Sequence, residues 1–146
     1  MPTTQDLIAK SSVHIDAPPA KVWAALVTPA AIKQYMFGAD VRSDWKVGSP
    51  ITWSGEWQGK PYQDTGVIKQ IQRERVLQYT HFSPLSGQPD RPENYHTVTI
   101  ELSDGNAQTR VVLTQDNNLT EEARTHSEKN WNMMLGGLKK FVEGNK

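Results

Sequence analysis

The stretch WNMMLGGLKKFV, Trp131–Val142, decides how the rest of the chain is read. Wound at about 3.6 residues per turn, it puts Trp131, Met134, Leu135, Leu138, Phe141 and Val142 on one side of a helix. Upstream, NNLTEEA supplies the start: Asn118 or Thr120 can cap, Glu121 stands three after Asn118 as in a capping box, and Gly144 is placed to stop the helix after Glu143. Carried backward, the same face meets Ser127, Arg124 and Ala123, with Asn130 on its border. The stripe is therefore apolar over its C-terminal half and small or polar over its N-terminal half. Interiors pack at crystal-like density, so the change suggests that the N-terminal half overlies a space reached by solvent or ligand. A helix projecting beyond its sheet gives the same pattern, and both readings stand. Of the two glycines, Gly136 faces solvent and Gly137 lies near the stripe's border, where it would let the helix approach a neighbour.

What this helix packs on is written in the preceding residues. KSSVHID alternates, with Val13 and Ile15 on one face, and predicts a strand. PAKVWAALV predicts a short helix with Val22, Trp23, Leu26 and Val27 at helical spacing, and Thr28-Pro29 opens a second, PAAIKQYM, with Thr28 as N-cap. From Asp40 to Asp116 the signals are strand and turn: ADVRSDW, SPITWSGEW, DTGVIKQIQ, VLQYTHF, YHTVTIEL and TRVVLTQ. KVGSP, WQGKP and SDGN punctuate them, Asp104-Gly105 being the strongest hairpin signal. An antiparallel meander is the economical arrangement. The longer loop SPLSGQPDRPE, Ser83 to Glu93, reads equally well as a flap or as a plain surface connection.

The chain's 146 residues predict one domain, 1–146, with an ordered core of about 10–144. Sixteen basic residues balance sixteen acidic ones without long blocks, so nucleic acid is not an expected partner. The absence of cysteine removes disulfides, thiolate catalysis and the commonest zinc ligand, and suits a reducing compartment. No segment has the length of a membrane span or the pattern of a signal peptide, so a cytoplasmic location is expected. There is no Gly-x-Ser-x-Gly elbow and no phosphate-binding glycine loop, and Asp40, Asp44 and Glu56 read as solvated. No cofactor, metal or catalytic residue is assigned.

VHIDAPPAKVWAALVTPAAIKQYM, VGSPITWSGEWQGKPYQDTGVI, VLQYT and WNMMLGGLKKFVE together resemble the START-like (SRPBCC) superfamily, and within it the Activator of Hsp90 ATPase homologue 1-like proteins. The resemblance implies an α+β helix-grip fold of the START-like or Bet v 1-like kind. In it, a curved antiparallel sheet of six or seven strands surrounds a long C-terminal helix, with two short helices after the first strand. It also implies a cavity between sheet and helix that holds an apolar or amphipathic small molecule. Tyr35 stands where the family commonly has tryptophan. An enzyme resembling polyketide cyclases or aromatases, with pocket Tyr or His residues transferring protons, is the alternative. A third reading is an interaction module like the Hsp90 activators, although a single START-like domain makes an Hsp90-type chaperone partner doubtful. The sequence leaves a homodimer open.

With that fold, strand parity turns Ile51 and Trp53, Leu77, Tyr79 and His81, His96, Val98, Ile100 and Leu102, and Val111, Leu113 and Gln115 toward the helix. Closing VLQYTHF on YHTVTIEL sets His81 opposite His96, as an acid and base pair, part of a metal site, or two structural imidazoles. The expected ligand-binding residues are Trp53, Tyr79, His81, His96, Gln115, Asn130, Trp131 and Met134.

Overall fold

The computed structural model describes residues 7–36, 38–57, 59–83, 89–105 and 108–144. The chain runs β1 (Ala9–Ile15), α1 (Pro19–Val27), α2 (Pro29–Tyr35), β2 (Asp40–Ser43), β3 (Pro50–Trp57), β4 (Lys60–Gln72) and β5 (Val76–His81). A 3-10 turn at Pro92–Asn94 leads into β6 (His96–Gly105), β7 (Gln108–Gln115) and α3 (Glu121–Gly144). All seven strands form one sheet in the order β1-β7-β6-β5-β4-β3-β2, antiparallel throughout. The two short helices connect the opposite edges of this sheet, and α3 fills its concave side. This is the helix-grip arrangement.

Every side chain that strand parity turns inward is buried or half-buried. Leu77, Ile100 and Leu113 meet Met134, Leu135, Leu138 and Val142 of α3 in one core. The apolar half of α3 is thus the sheet's lid. Gly137 belongs to the helix crossing: a Cβ there would lie 3.3 Å from Cβ of Tyr35, whereas one at Gly136 would meet nothing within 4 Å. Gly136→Ala should raise stability by about 1 kcal/mol through helix propensity alone. Gly137→Ala should gain less, because α2 must move by tenths of an ångström; paired urea titrations measure the difference.

α3 also covers the open edge of the sheet. Along β1, the Lys10 and Asp16 backbone N–H groups donate to Glu128 and Glu143, and Lys139 Nζ donates to the His14 carbonyl at 2.8 Å. An unpaired strand edge invites association with other strands. Here the charged residues of one helix take up part of it.

Several local expectations change. Asn118 does not cap α3; its amide donates to the Leu7 and Gln115 carbonyls, and Thr120 Oγ1 instead accepts from the Ala123 N–H at 3.0 Å. Thr28 stands at the start of α2, but its hydroxyl donates backward to the Ala24 carbonyl. β2 ends at Ser43 because the Ser43 hydroxyl accepts from the Trp45 N–H, and Trp45 turns to a φ of 57°. β4 is longer than its apolar pattern, since its polar first half pairs along the whole of β3. Asp104 lies inside β6, opposite Thr109. The hairpin residues 106 and 107 and loop residues 84–88 fall outside the described residues. No described helix is long and apolar enough to cross a membrane.

Candidate functional site

The polar half of α3 does overlie a space. A cleft of about 310 Å³ lies between it and the sheet, lined by Met36, Asp64, His81, His96, Gln115, Ser127, Asn130, Trp131 and Met134. Under the apolar half the remaining void is only about 20 Å³, lined among others by Tyr35, Trp53, Tyr79 and Met134. A second cleft, of about 290 Å³, lies beside Phe141 and Val142 of the apolar half, against α1 and α2 and not the sheet.

His81 and His96 end adjoining strands and are directly paired across them. Their rings stack with centroids 6.3 Å apart and planes at 28°. Asp64 reaches the same place from β4, where it pairs with Trp53 and therefore shares its inward face. Its Oδ2 lies 2.8 Å from His81 Nε2. Trp53 closes the back of the pair with an edge contact to the His81 ring at 5.0 Å and a tilted contact to Tyr79 at 5.1 Å. Trp131 hydrogen-bonds through Nε1–H to Gln115 Oε1, fixing both at the opposite wall. Asn130 is exposed at the rim.

Hydrogen-bond chemistry assigns the protons. The Asp116 carbonyl can only accept, so His96 donates to it through Nδ1 at 2.9 Å, and the neutral ring keeps a lone pair on Nε2. Asp116 is itself held, its Oδ1 accepting from the Thr97 N–H at 2.6 Å. A carboxylate likewise only accepts, so His81 donates through Nε2 and, when neutral, keeps its lone pair on Nδ1. The second oxygen, Asp64 Oδ1, is buried and meets no donor among the described residues. Among them no three His, Asp or Glu side chains gather in a way that could hold a metal ion.

Burial pushes the His96 imidazole below its ordinary value, with the His81 ring adding to the depression and the Asp116 contacts opposing it. The unfolded chain therefore takes a proton near pH 6.5 that the native state accepts only at lower pH. Stability should fall as pH drops through that window, by about 1.4 kcal/mol for each unit of depression. His96→Asn keeps a donor near the Asp116 carbonyl but cannot titrate. Urea midpoints at pH 7.5 and 5 should converge more in this variant than in the parent.

Comparison with known proteins agrees with this architecture. Residues 16–143 match the model of the family described as Activator of Hsp90 ATPase homolog 1-like protein. The chain belongs to that family. The solution structure of protein ChR145 from Cytophaga hutchinsonii is 58% identical, with a TM-score of 0.83 and 94% of each chain covered. The Aha1 dimer from Colwellia psychrerythraea is 22% identical, with a TM-score of 0.73 over 93% of this chain and 96% of that one. CalU16 from Micromonospora echinospora is 20% identical, with a TM-score of 0.69 over 92% and 83%. No protein of curated function matches.

Within this Activator of Hsp90 ATPase homolog 1-like chain, the structure gathers His81, His96, Gln115, Asn130, Trp131 and Met134 around the cleft and puts Trp53 and Tyr79 one layer deeper. Burial raises the Tyr79 hydroxyl well above its ordinary value. Tyr35 is structural: its hydroxyl donates to the Ala25 carbonyl at 2.8 Å, away from the cleft lining. Asp64, Met36 and Ser127 complete the site. Asp64 is recoverable from the sequence, because in DTGVIKQ it keeps the parity of the buried Ile68.

Proposed function

We propose that this protein binds a small amphipathic molecule in the cleft beneath the N-terminal half of α3. The observation that carries the reading is the hollow itself, with Met36, Trp131 and Met134 on its walls and His81, His96 and Asp64 at one end. Its volume is at the lower end of the range typical of small-molecule sites, which combine apolar walls with a few placed polar groups. The apolar body would lie against Trp131 and the methionines, and a polar group would meet the imidazoles and the carboxylate.

Native mass spectrometry of gently purified protein, together with calorimetric titration with indole as a neutral apolar probe, tests this. A bound organic mass, or heat on titration, is expected for the parent and should disappear in Ser127→Phe, which fills the cleft. Absence of both in the parent would refute the reading.

A second reading rests on the His81–Asp64 pair. A carboxylate on one imidazole nitrogen holds the ring's tautomer, leaving the other nitrogen to take a proton from a bound substrate. Solvent deuterium entering an acidic position of a bound molecule, and failing to enter with His81→Asn, would favour proton transfer over simple binding.

A further inference from the structure

We propose that the ligand is an amphipathic organic cation, an aromatic or branched amine whose ammonium group docks on Asp64. This rests on the small-molecule reading above and names the ligand class.

Apart from the amide N–H groups of Gln115 and Asn130, the side-chain donors around the cleft are already given away. Trp131 Nε1–H is given to Gln115 Oε1, and the Ser127 hydroxyl to Asn118 Oδ1. His96 Nδ1–H and His81 Nε2–H are given to Asp116 and Asp64. What remains unpartnered among the described residues is Asp64 Oδ1, with the lone pair of His96 Nε2 on a ring that lines the same space. A buried carboxylate oxygen without a donor is costly; Oδ1 is closed to solvent, so a ligand's N–H group relieves that cost only by displacing its cover, whereas the carboxylate's charge attracts a cation in the cleft without such a shift. An anionic head group would find only the neutral amides of Gln115 and Asn130, because among the described residues no lysine or arginine lines the cleft. An ammonium supplies three donors, and the aromatic face of Trp131 can attract its charge besides.

Three probes share one apolar body: neutral indole, tryptamine with an ammonium, and indole-3-propionate with a carboxylate. Calorimetry at pH 7.5 should give tryptamine at least a tenfold tighter Kd than indole-3-propionate. Asp64→Asn should bring the two within about threefold. Asn130→Lys, a change at the exposed rim that leaves the core untouched, should weaken tryptamine and strengthen the acid, and so keeps the test decisive if Asp64→Asn folds poorly. If indole binds but the acid equals or exceeds the amine, or if neither variant alters the preference, the cation assignment is wrong and the cleft remains a binding site. If no probe binds, both readings fall.

Discussion

Gly66→Ala should destabilise the protein severely, with a loss of about 3 kcal/mol or more and a fall in Tm of roughly 10 °C or more. The cause is space and not backbone conformation, since among the described residues the glycines in the left-handed region are Gly38, Gly48 and Gly59. A Cβ at Gly66 would stand 1.7 Å from the Thr80 carbonyl oxygen and 2.6 Å from its carbon. Ordinary contact begins near 3.4 Å, so β4 and β5 would have to separate by roughly 1.5 Å. They have little freedom to do so. Thr65 and Phe82 exchange backbone hydrogen bonds of 3.0 and 2.8 Å on one side, and Ile68 pairs with Tyr79 on the other. Between them the Val67 N–H is taken by the Thr80 hydroxyl at 3.0 Å. The same close approach brings Asp64 against His81, so stability and site geometry should fail together. Gly105→Ala is the control: its Cβ meets nothing within 4 Å, and urea unfolding should show a change within about 0.5 kcal/mol.

Gly66 also marks where legibility stops. Alternation tells which side chains of β3, β5, β6 and β7 face α3, because one buried face imposes a period of two that a single-residue slip would invert. The pairing of His81 with His96 follows from the same rule once the connecting loop closes symmetrically. Asp64 obeys that parity too, yet an acidic residue in a polar stretch carries no apolar signal to draw the eye. Which strand backbones press together is not a property of hydrophobic pattern at all. It depends on the sheet's curvature and on the register shift between Ile68 and Gln70, beyond which β4 and β5 resume pairing out of step. The charged residues of α3 behave similarly. Nothing in the sequence around Glu128, Lys139 and Glu143 points to a strand, and only the lateral position of α3 along β1 makes them partners for its edge. The change in the helix stripe at Trp131 was legible because packing density left one face of α3 without large side chains; whether that meant a cleft or a projecting end required the sheet beneath it.

Asn118→Ala should cost about 3 kcal/mol, well above an ordinary cap deletion, because Asn118 is a buried joint. It is 2% exposed. Its amide donates to the Leu7 carbonyl at 2.8 Å and the Gln115 carbonyl at 3.1 Å, while its Oδ1 accepts from the Ser127 hydroxyl at 2.9 Å. One side chain thus ties the residue leading into β1, the end of β7 and the polar half of α3. Alanine takes the side-chain bonds from the Gln115 carbonyl and the Ser127 hydroxyl, leaves the Leu7 carbonyl only the backbone N–H of residue 118 at 3.3 Å, and opens a small void among them. The tie also fixes Ser127 and Gln115, two walls of the cleft, so any probe affinity should fall along with the urea midpoint. Asn118→Asp separates the donor from the acceptor role. It preserves the oxygen facing Ser127 but turns a carboxylate toward two carbonyls, an arrangement that favours the protonated form and raises its folded pKa above the unfolded value of about 3.9. Whatever stability the protonated carboxyl group recovers is present below the unfolded pKa and lost as pH rises through the folded one. Measured against the parent, the deficit of the Asn118→Asp variant should therefore shrink as pH falls from 7 toward 4, opposite in sense to the acid sensitivity contributed by His96. Equal deficits at both pH values would show that the amide donor is not what holds the joint.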